Sequence, residues 1–254
     1  MATTNKIALV TGGSRGLGKN MALSLAGKGI DVIITYLSKK DEAQAVVKTI
    51  EQGGRKAWAL ALDSGDIQRF DPFITEFSTV LKDHFNADRF DFLINNAGIG
   101  HYALFANNTE EAFDRIMNIN LKGVFFLTQK LLPLINDGGR IINLSSGLPR
   151  FTIPGNSVYA AMKGAIETLT RYLAVELGPR RIAVNTLAPG AIETDFNGGA
   201  VRDNPQYNKM VADSTALGRV GLPDDIGGVA AFLCTDEARW INAQRLEVSG
   251  GQKI

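Results

Sequence analysis

Short runs of apolar and β-branched residues recur along the chain, separated by stretches whose apolar residues fall three or four apart. The runs at 6–11, 31–36, 56–63, 90–95, 140–145, 182–187 and 244–248 read as strands. The segments between them read as helices; Phe113, Ile116, Met117, Leu121 and Val124 mark one such face. A run such as Ile7-Ala8-Leu9-Val10 has no polar alternate, so both its faces need cover, as in a parallel sheet between two helical layers. Strict alternation of strand and helix predicts right-handed crossovers and an α/β, doubly wound sheet with helices on both faces. No linker or repeat breaks the pattern, and residues 1–254 read as a single domain. One segment departs from it. Between residues 191 and 215, Gly198, Gly199 and Pro205 interrupt a weak periodicity, which predicts a mobile lid.

Composition narrows the classes. A chain of 254 residues buries a core large enough to need neither disulfide nor metal. A net charge of +1 argues against nucleic acid as a partner. The single cysteine, Cys234, excludes an internal disulfide and fits a reducing, cytoplasmic compartment. The N-terminus, Met-Ala-Thr-Thr-Asn-Lys, runs straight into an apolar strand without a signal-peptide pattern. No apolar run approaches the ~18 residues that span a bilayer, so no membrane partner is expected. His84 and His101 stand alone, without metal-ligand company, and no metal is expected.

Ligands of open α/β sheets bind beyond the carboxyl ends of the strands. Four predicted strand ends carry small or polar residues: Thr11-Gly12-Gly13-Ser14-Arg15-Gly16-Leu17-Gly18, Asn95-Asn96-Ala97-Gly98, Ser145-Ser146 and Ala188-Pro189-Gly190. The glycine-rich turn opens a helix, whose positive end and free amides suit a phosphate. It is not G-x-G-x-x-G, because Met21 stands where Gly or Ala is required. Asn156 or Ser157 can cap a helix that runs to about Glu176. On it, Tyr159 and Lys163 share a face. A nearby ammonium lowers a phenol pKa and readies it for proton transfer. Tyr36 and Lys40 repeat the spacing, but only Tyr159 follows a strand that ends in paired serines.

Taken together, in this order and spacing, the motifs resemble the short-chain dehydrogenase/reductase superfamily. The resemblance covers residues 6 to about 251 and is nearest to 3-oxoacyl-carrier-protein reductase-like and carbonyl reductase members. It includes Asn120 within Asn118-Ile119-Asn120-Leu121, and Ser146 thirteen residues before Tyr159. It implies a Rossmann-type fold of seven parallel strands and a catalytic set of Asn120, Ser146, Tyr159 and Lys163. Tyr159 would exchange a proton with the substrate oxygen. Ser146 would hydrogen-bond that oxygen. Lys163 would lower the Tyr159 pKa and bind the nicotinamide ribose. Asn120 would hold a water linking Lys163 to solvent. Gly12, Ser14, Arg15, Gly16, Leu17, Gly18, Ser64, Asn95, Asn96, Ala97 and Gly98 would line the cofactor cleft, with Asp63 on the adenine. Pro189, Gly190, Ile192 and Thr194 would hold the carboxamide.

The second strand ends in Tyr36, Leu37, Ser38, Lys39 and Lys40 with no carboxylate, and Arg15 sits in the turn. An acid there would bind a ribose 2′-hydroxyl, whereas bases suit a 2′-phosphate. The expected cofactor is therefore NADPH, with NADH possible, and Tyr36, Ser38 and Lys39 join its site. A substrate wall of His101, Tyr102, Leu148, Phe151, Ile153, Asn156, Ala191 and Phe196 favours an apolar-faced carbonyl. The reading is an NADPH-dependent ketone reductase acting on a small molecule. A sugar or polyol dehydrogenase working oxidatively is the alternative, and a non-catalytic nucleotide sensor a third. The resemblance and the apolar surplus on the helices near 113–132 and 158–177 imply a homotetramer, or else a dimer. The tail departs from the family, with Ala243 and Ser249 where glycine and aspartate are usual.

Overall fold

The computed structural model describes residues 5–254; residues 1–4, part of the N-terminal reading, lie outside it. The strands are β1 (Ile7–Val10), β2 (Asp31–Tyr36), β3 (Ala57–Ala61), β4 (Phe90–Asn95), β5 (Ile135–Leu144), β6 (Ala183–Pro189) and β7 (Arg245–Val248). They form one sheet in the order β3-β2-β1-β4-β5-β6-β7, with every pairing parallel. The order reverses at β1, which pairs with β2 on one side and β4 on the other. That reversal opens a crevice beyond the carboxyl ends of β1 and β4.

The helices are α1 (Gly16–Gly27), α2 (Lys40–Gln52), α3 (Phe70–Phe85), α4 (Glu110–Met117), α5 (Gly123–Leu131), α6 (Ser157–Glu176), α7 (Ala200–Asp203), α8 (Pro205–Asp213) and α9 (Asp224–Leu233). Alternate residues of each strand feed opposite cores. Ala8 and Val10 pack with Met21, Leu25, Val46 and Ile226 from α1, α2 and α9. Ile7 and Leu9 pack with Phe73, Phe77, Leu127 and Leu177 on the other face. This two-sided cover explains the unbroken apolar run of β1, since in a parallel sheet neither face meets water.

The structure alters three details of the sequence reading. The predicted helical face through Phe113 and Val124 is interrupted by a π-helical turn, Asn118–Lys122, between α4 and α5. A one-residue widening of the ladder leaves the apolar spacing almost unchanged, so periodicity does not register it. β5 begins at Ile135, earlier than predicted, because Ile135 already pairs with Phe90; the polar stretch Asn136-Asp137-Gly138-Gly139 then bulges out before pairing with β4 resumes at Arg140 and Phe92. The segment 191–215, expected to be irregular, contains α7 and α8. Asn204 caps α8 by accepting from Tyr207 N at 3.0 Å, with Pro205 in the first turn. This Asn-Pro pair is the helix-start signal that the glycines before it obscured.

Ala243, the departure noted in the tail, has φ +59°, in the left-handed region that glycine occupies freely. Its backbone bonds require that conformation: Ala243 N donates to Val184 O at 2.9 Å, and the flanking Gln244 N donates to Asn185 Oδ1 at 3.0 Å. A left-handed non-glycine residue costs about 1–2 kcal/mol, and glycine's extra unfolded-state entropy offsets part of the relief. Ala243→Gly is expected to stabilise the protein by up to about 1 kcal/mol. Urea unfolding with a lower midpoint than wild type would show that the strain account is wrong.

Candidate active site

Four strand ends meet at the crevice, and the glycine turn comes first. Gly12 and Gly16 have φ +65° and +55°. A Cβ on Gly12 would lie 3.1 Å from Ala97 Cα, and one on Gly18 would collide with Gly12 O. Glycine is needed here for both backbone conformation and close approach. The turn is pinned to the end of β4. Thr11 Oγ1 accepts from Asn96 N and Ala97 N, each at 3.0 Å, and Asn96 Nδ2 donates to Thr11 O at 2.8 Å. No side chain caps α1, and its first turn holds no acidic residue. Its leading amides are thus a fit site for a pyrophosphate, with Arg15 beside them.

All the residues predicted to bind cofactor, from Gly12 to Thr194, line one cleft of about 480 Å³, except Asn95. Asn95 faces into the protein, where its Nδ2 donates to Thr128 Oγ1 (2.9 Å) and Asn143 Oδ1 (2.8 Å). It ends a strand buried on both faces, and its neighbour Asn96 is the one turned to the crevice. Tyr36, Ser38 and Lys39 border the cleft beyond the end of β2, whereas Lys40 opens α2 outside the lining. Asp63 is at the rim; one of its oxygens accepts from Gly65 N at 2.8 Å. Arg15 reaches Asp195 at 3.7 Å.

The predicted substrate wall is also in the cleft, with one exception. His101, Leu148, Phe151, Ile153, Asn156, Ala191 and Phe196 line it. Tyr102 does not; its ring packs over Gly155 and is 71 % exposed. Asn156 holds the cap position of α6 without a capping bond, and its amide turns back to Ile153 O and Pro154 O. The sequence reading missed Asn197, Val201, Tyr207 and Gln252, which complete the wall. Gln252 Oε1 accepts from Ala191 N at 3.1 Å and so ties the tail to the start of the 191–215 segment. Nothing in the local sequence marks these four, because tertiary folding alone brings them to the cleft.

Tyr159 and Lys163 project from α6 toward the end of β5. The Lys163 ammonium donates to Leu144 O at 2.8 Å and lies 5.6 Å from the centre of the Tyr159 ring. Burial raises the Tyr159 pKa above the ordinary phenol value, opposed by a hydrogen bond with Ser146. The predicted lowering by Lys163 is absent from this arrangement, since its ammonium is turned to the Leu144 carbonyl. Burial also brings Lys163 down from 10.5 to about 8. Asn120 lies on the π-helical turn with no exposure. Its Nδ2 donates to Ile99 O and Ile116 O at 3.0 and 3.1 Å, and its buried Oδ1 has no partner. A Cβ on Gly98 would come within 2.7 Å of that Oδ1 and 3.6 Å of Lys163 Nζ. Glycine therefore keeps open the gap that both groups face.

Among the described residues, no group of three or more His, Cys, Asp or Glu side chains could hold a metal ion. None of their helices is long and apolar enough to cross a membrane. A glycine-rich anion cradle at the switch point, joined to a half-buried phenol and hydroxyl in one cleft, defines a Rossmann-type oxidoreductase. The comparisons agree. A family model for enoyl-(acyl carrier protein) reductase matches residues 12–253. Versicolorin reductase 1 of Dothistroma septosporum is 35 % identical over 97 % of this chain and 95 % of its own. The promiscuous reductase LugOII, which catalyses keto-reduction at C1 during lugdunomycin biosynthesis, superposes with TM-score 0.94 at 38 % identity over 99 % of both chains. The angucycline C-6 ketoreductase LanV, with bound NADP, gives 0.93 at 37 % identity over 98 % of this chain and 95 % of LanV. The chain belongs to the short-chain dehydrogenase/reductase family.

The shift of Lys163 has a measurable consequence. Between pH 8 and 10.5 the unfolded chain keeps a proton that the folded protein has released. Stability from this group therefore rises with pH across that window. Lys163→Met removes the increment. Its stability advantage over wild type is expected to shrink by up to about 3 kcal/mol between the two ends of the window. Urea titrations of both proteins below pH 8 and near 10.5 read this, and a constant difference would refute it.

Proposed function

We propose that this protein reduces a ketone to a secondary alcohol with NADPH. The observation that carries the reading is the half-buried Tyr159 phenol, hydrogen-bonded to Ser146 in the same cleft as the glycine cradle. The bound nicotinamide supplies the hydride. Tyr159 donates its proton to the carbonyl oxygen, and the Ser146 hydroxyl hydrogen-bonds that oxygen. At neutral pH the phenol holds its proton and can donate it to a carbonyl oxygen, the role that reduction needs. Lys163 binds the nicotinamide ribose hydroxyls and carries replacement protons, and Asn120 Oδ1 accepts a water on that route. Asp63 borders the adenine, and Pro189, Gly190, Ile192 and Thr194 the carboxamide. Arg15, Ser38 and Lys39 bind the 2′-phosphate, for which a guanidinium offers paired hydrogen bonds. The wall of Leu148, Phe151, Ile153 and Phe196 suits an apolar-faced small-molecule ketone, as do the keto-reductions named for LugOII and LanV.

The same proposal covers the finer points. Segment 191–215 acts as a lid that limited proteolysis would find protected by NADPH. The protein assembles as a homotetramer: Phe113, Phe125, Tyr172 and Val175 on α4, α5 and α6 are 41–77 % exposed, more apolar surface than a lone subunit needs. Sedimentation showing a monomer at micromolar concentration would exclude assembly. A cytoplasmic setting fits the lone, buried thiol of Cys234.

One kinetic series tests the core of the reading. Tyr159→Phe is expected to lose at least about 100-fold in kcat while still binding NADPH. Wild type is expected to favour NADPH over NADH in kcat/KM, and Arg15→Ala to weaken NADPH alone. A Tyr159→Phe variant within about tenfold of wild type would remove the general-acid assignment. A preference for NADH would remove the 2′-phosphate site.

A further inference from the structure

β5 ends one residue too early to hold Ser146 through the sheet. The last bond to β6 on this side is Ser145 N to Leu187 O, at 2.8 Å. Beyond it, the Ser146 backbone is gripped from two strands away. Arg245, on β7, donates from one terminal nitrogen to Ser146 O at 2.9 Å. Its Nε donates to Glu167 Oε1 at 2.7 Å, and the same carboxylate oxygen accepts from Ser145 Oγ at 2.7 Å. Glu167 lies on α6, four residues after Lys163 and eight after Tyr159, so it shares their face of the helix. One ion pair thus touches the carbonyl of Ser146, the hydroxyl of Ser145 and the helix that carries Tyr159.

The pair is built to be rigid. The Arg245 and Glu167 side chains are 23 % and 14 % exposed. The third Arg245 donor is taken by Glu247 Oε2 at 2.8 Å. Arg150 in turn grips Glu247 through two bonds of 2.6 and 2.7 Å. Although burial alone would raise it, hydrogen bonds from Arg150, Arg245 and Ser249 hold the Glu247 pKa at about 2, so the anchor stays charged. A planar guanidinium with every edge engaged has one orientation, which a lysine cannot reproduce.

We propose that Arg245 and Glu167 are positioning residues for proton transfer, which hold Ser146 at the distance from Tyr159 that the reaction requires. Neither lines the cleft; Arg245 acts through the Ser146 carbonyl and Glu167 through the Ser145 hydroxyl. The inference rests on the roles given above to Ser146 and Tyr159. Small misplacements of a positioned group cost large rate factors, so a loss of about tenfold or more in kcat is expected.

The test is a double-mutant cycle on kcat, with NADPH affinity read separately by fluorescence titration. Arg245→Leu is expected to lower kcat about tenfold or more at unchanged NADPH Kd, and Arg245→Lys to lose less. In a Ser146→Ala background, Arg245→Leu is expected to cost little more, because the group it positions has gone. An equal cost in both backgrounds, or a loss confined to NADPH affinity, would overturn the proposal and leave the ketoreductase reading standing. If Ser146→Ala alone left kcat unchanged, the role given to Ser146 would fall and this proposal with it, while the ketoreductase reading would still rest on Tyr159. Should Arg245→Leu not fold, the same cycle run with Glu167→Gln and Arg245→Lys decides the question by the same criterion.

Discussion

Every strand of this sheet is parallel, and the central strands β1, β2, β4 and β6 are buried almost throughout, a constraint that governs where chemistry can occur. Along the strands a polar side chain would be buried against one apolar core or the other. Only at the carboxyl ends, where the crossovers to the helices begin, do side chains face a crevice. Parallel pairing brings those ends to one edge. The glycine turn after β1, the Asn96–Gly98 loop after β4, the serines after β5 and Pro189–Gly190 at the end of β6 are therefore neighbours in space.

Polar groups that do enter the interior are satisfied in chains. Asn95 donates to Asn143 and Thr128, Asn143 to Thr170 at 2.9 Å, and Thr186 to Thr170 at 2.9 Å. These bonds run beneath the site and link β4, β5, β6, α5 and α6. An unmade bond at such depth costs about 1–3 kcal/mol, so the chain keeps the strand ends in fixed relation. Asn120 Oδ1 is the contrast: a buried acceptor without a partner, facing the gap beside Lys163. Among the described residues Asn20 Oδ1 and Arg140 Nε are also buried without a partner, but only the Asn120 orphan faces the gap beside Gly98 and Lys163, which makes it a pointer to function.

The family comparison and the geometry bear on different questions. Similarity to reductases over nearly the whole chain establishes the family and the kind of reaction its members perform. The geometry bears on cofactor and specificity. Basic and hydroxyl groups beside the end of β2 suit a 2′-phosphate. The Arg245–Glu167 pair ties the serine end of β5 to the phenol-bearing helix.

The sequence by itself determined the class of fold and pointed to most of the residues that line the cleft. Strand periodicity, the glycine turn, and the spacing of Ser146, Tyr159 and Lys163 are local properties, set by backbone conformation and helix pitch, and they are legible in one dimension. Only tertiary structure decided the rest. It turned Asn95 inward and Asn96 to the crevice, because successive strand residues point to opposite sides. It left Tyr102 outside, seated on Gly155. It brought Tyr207 and Gln252 into the wall and laid Arg245 against Ser146, across nearly a hundred residues of chain. It also sets the proton affinities of both groups: burial raises the Tyr159 phenol, where the four-residue spacing to Lys163 alone predicts a lowered one, and lowers Lys163. Desolvation depends on everything packed around a group, and no local pattern records how deeply that group is buried.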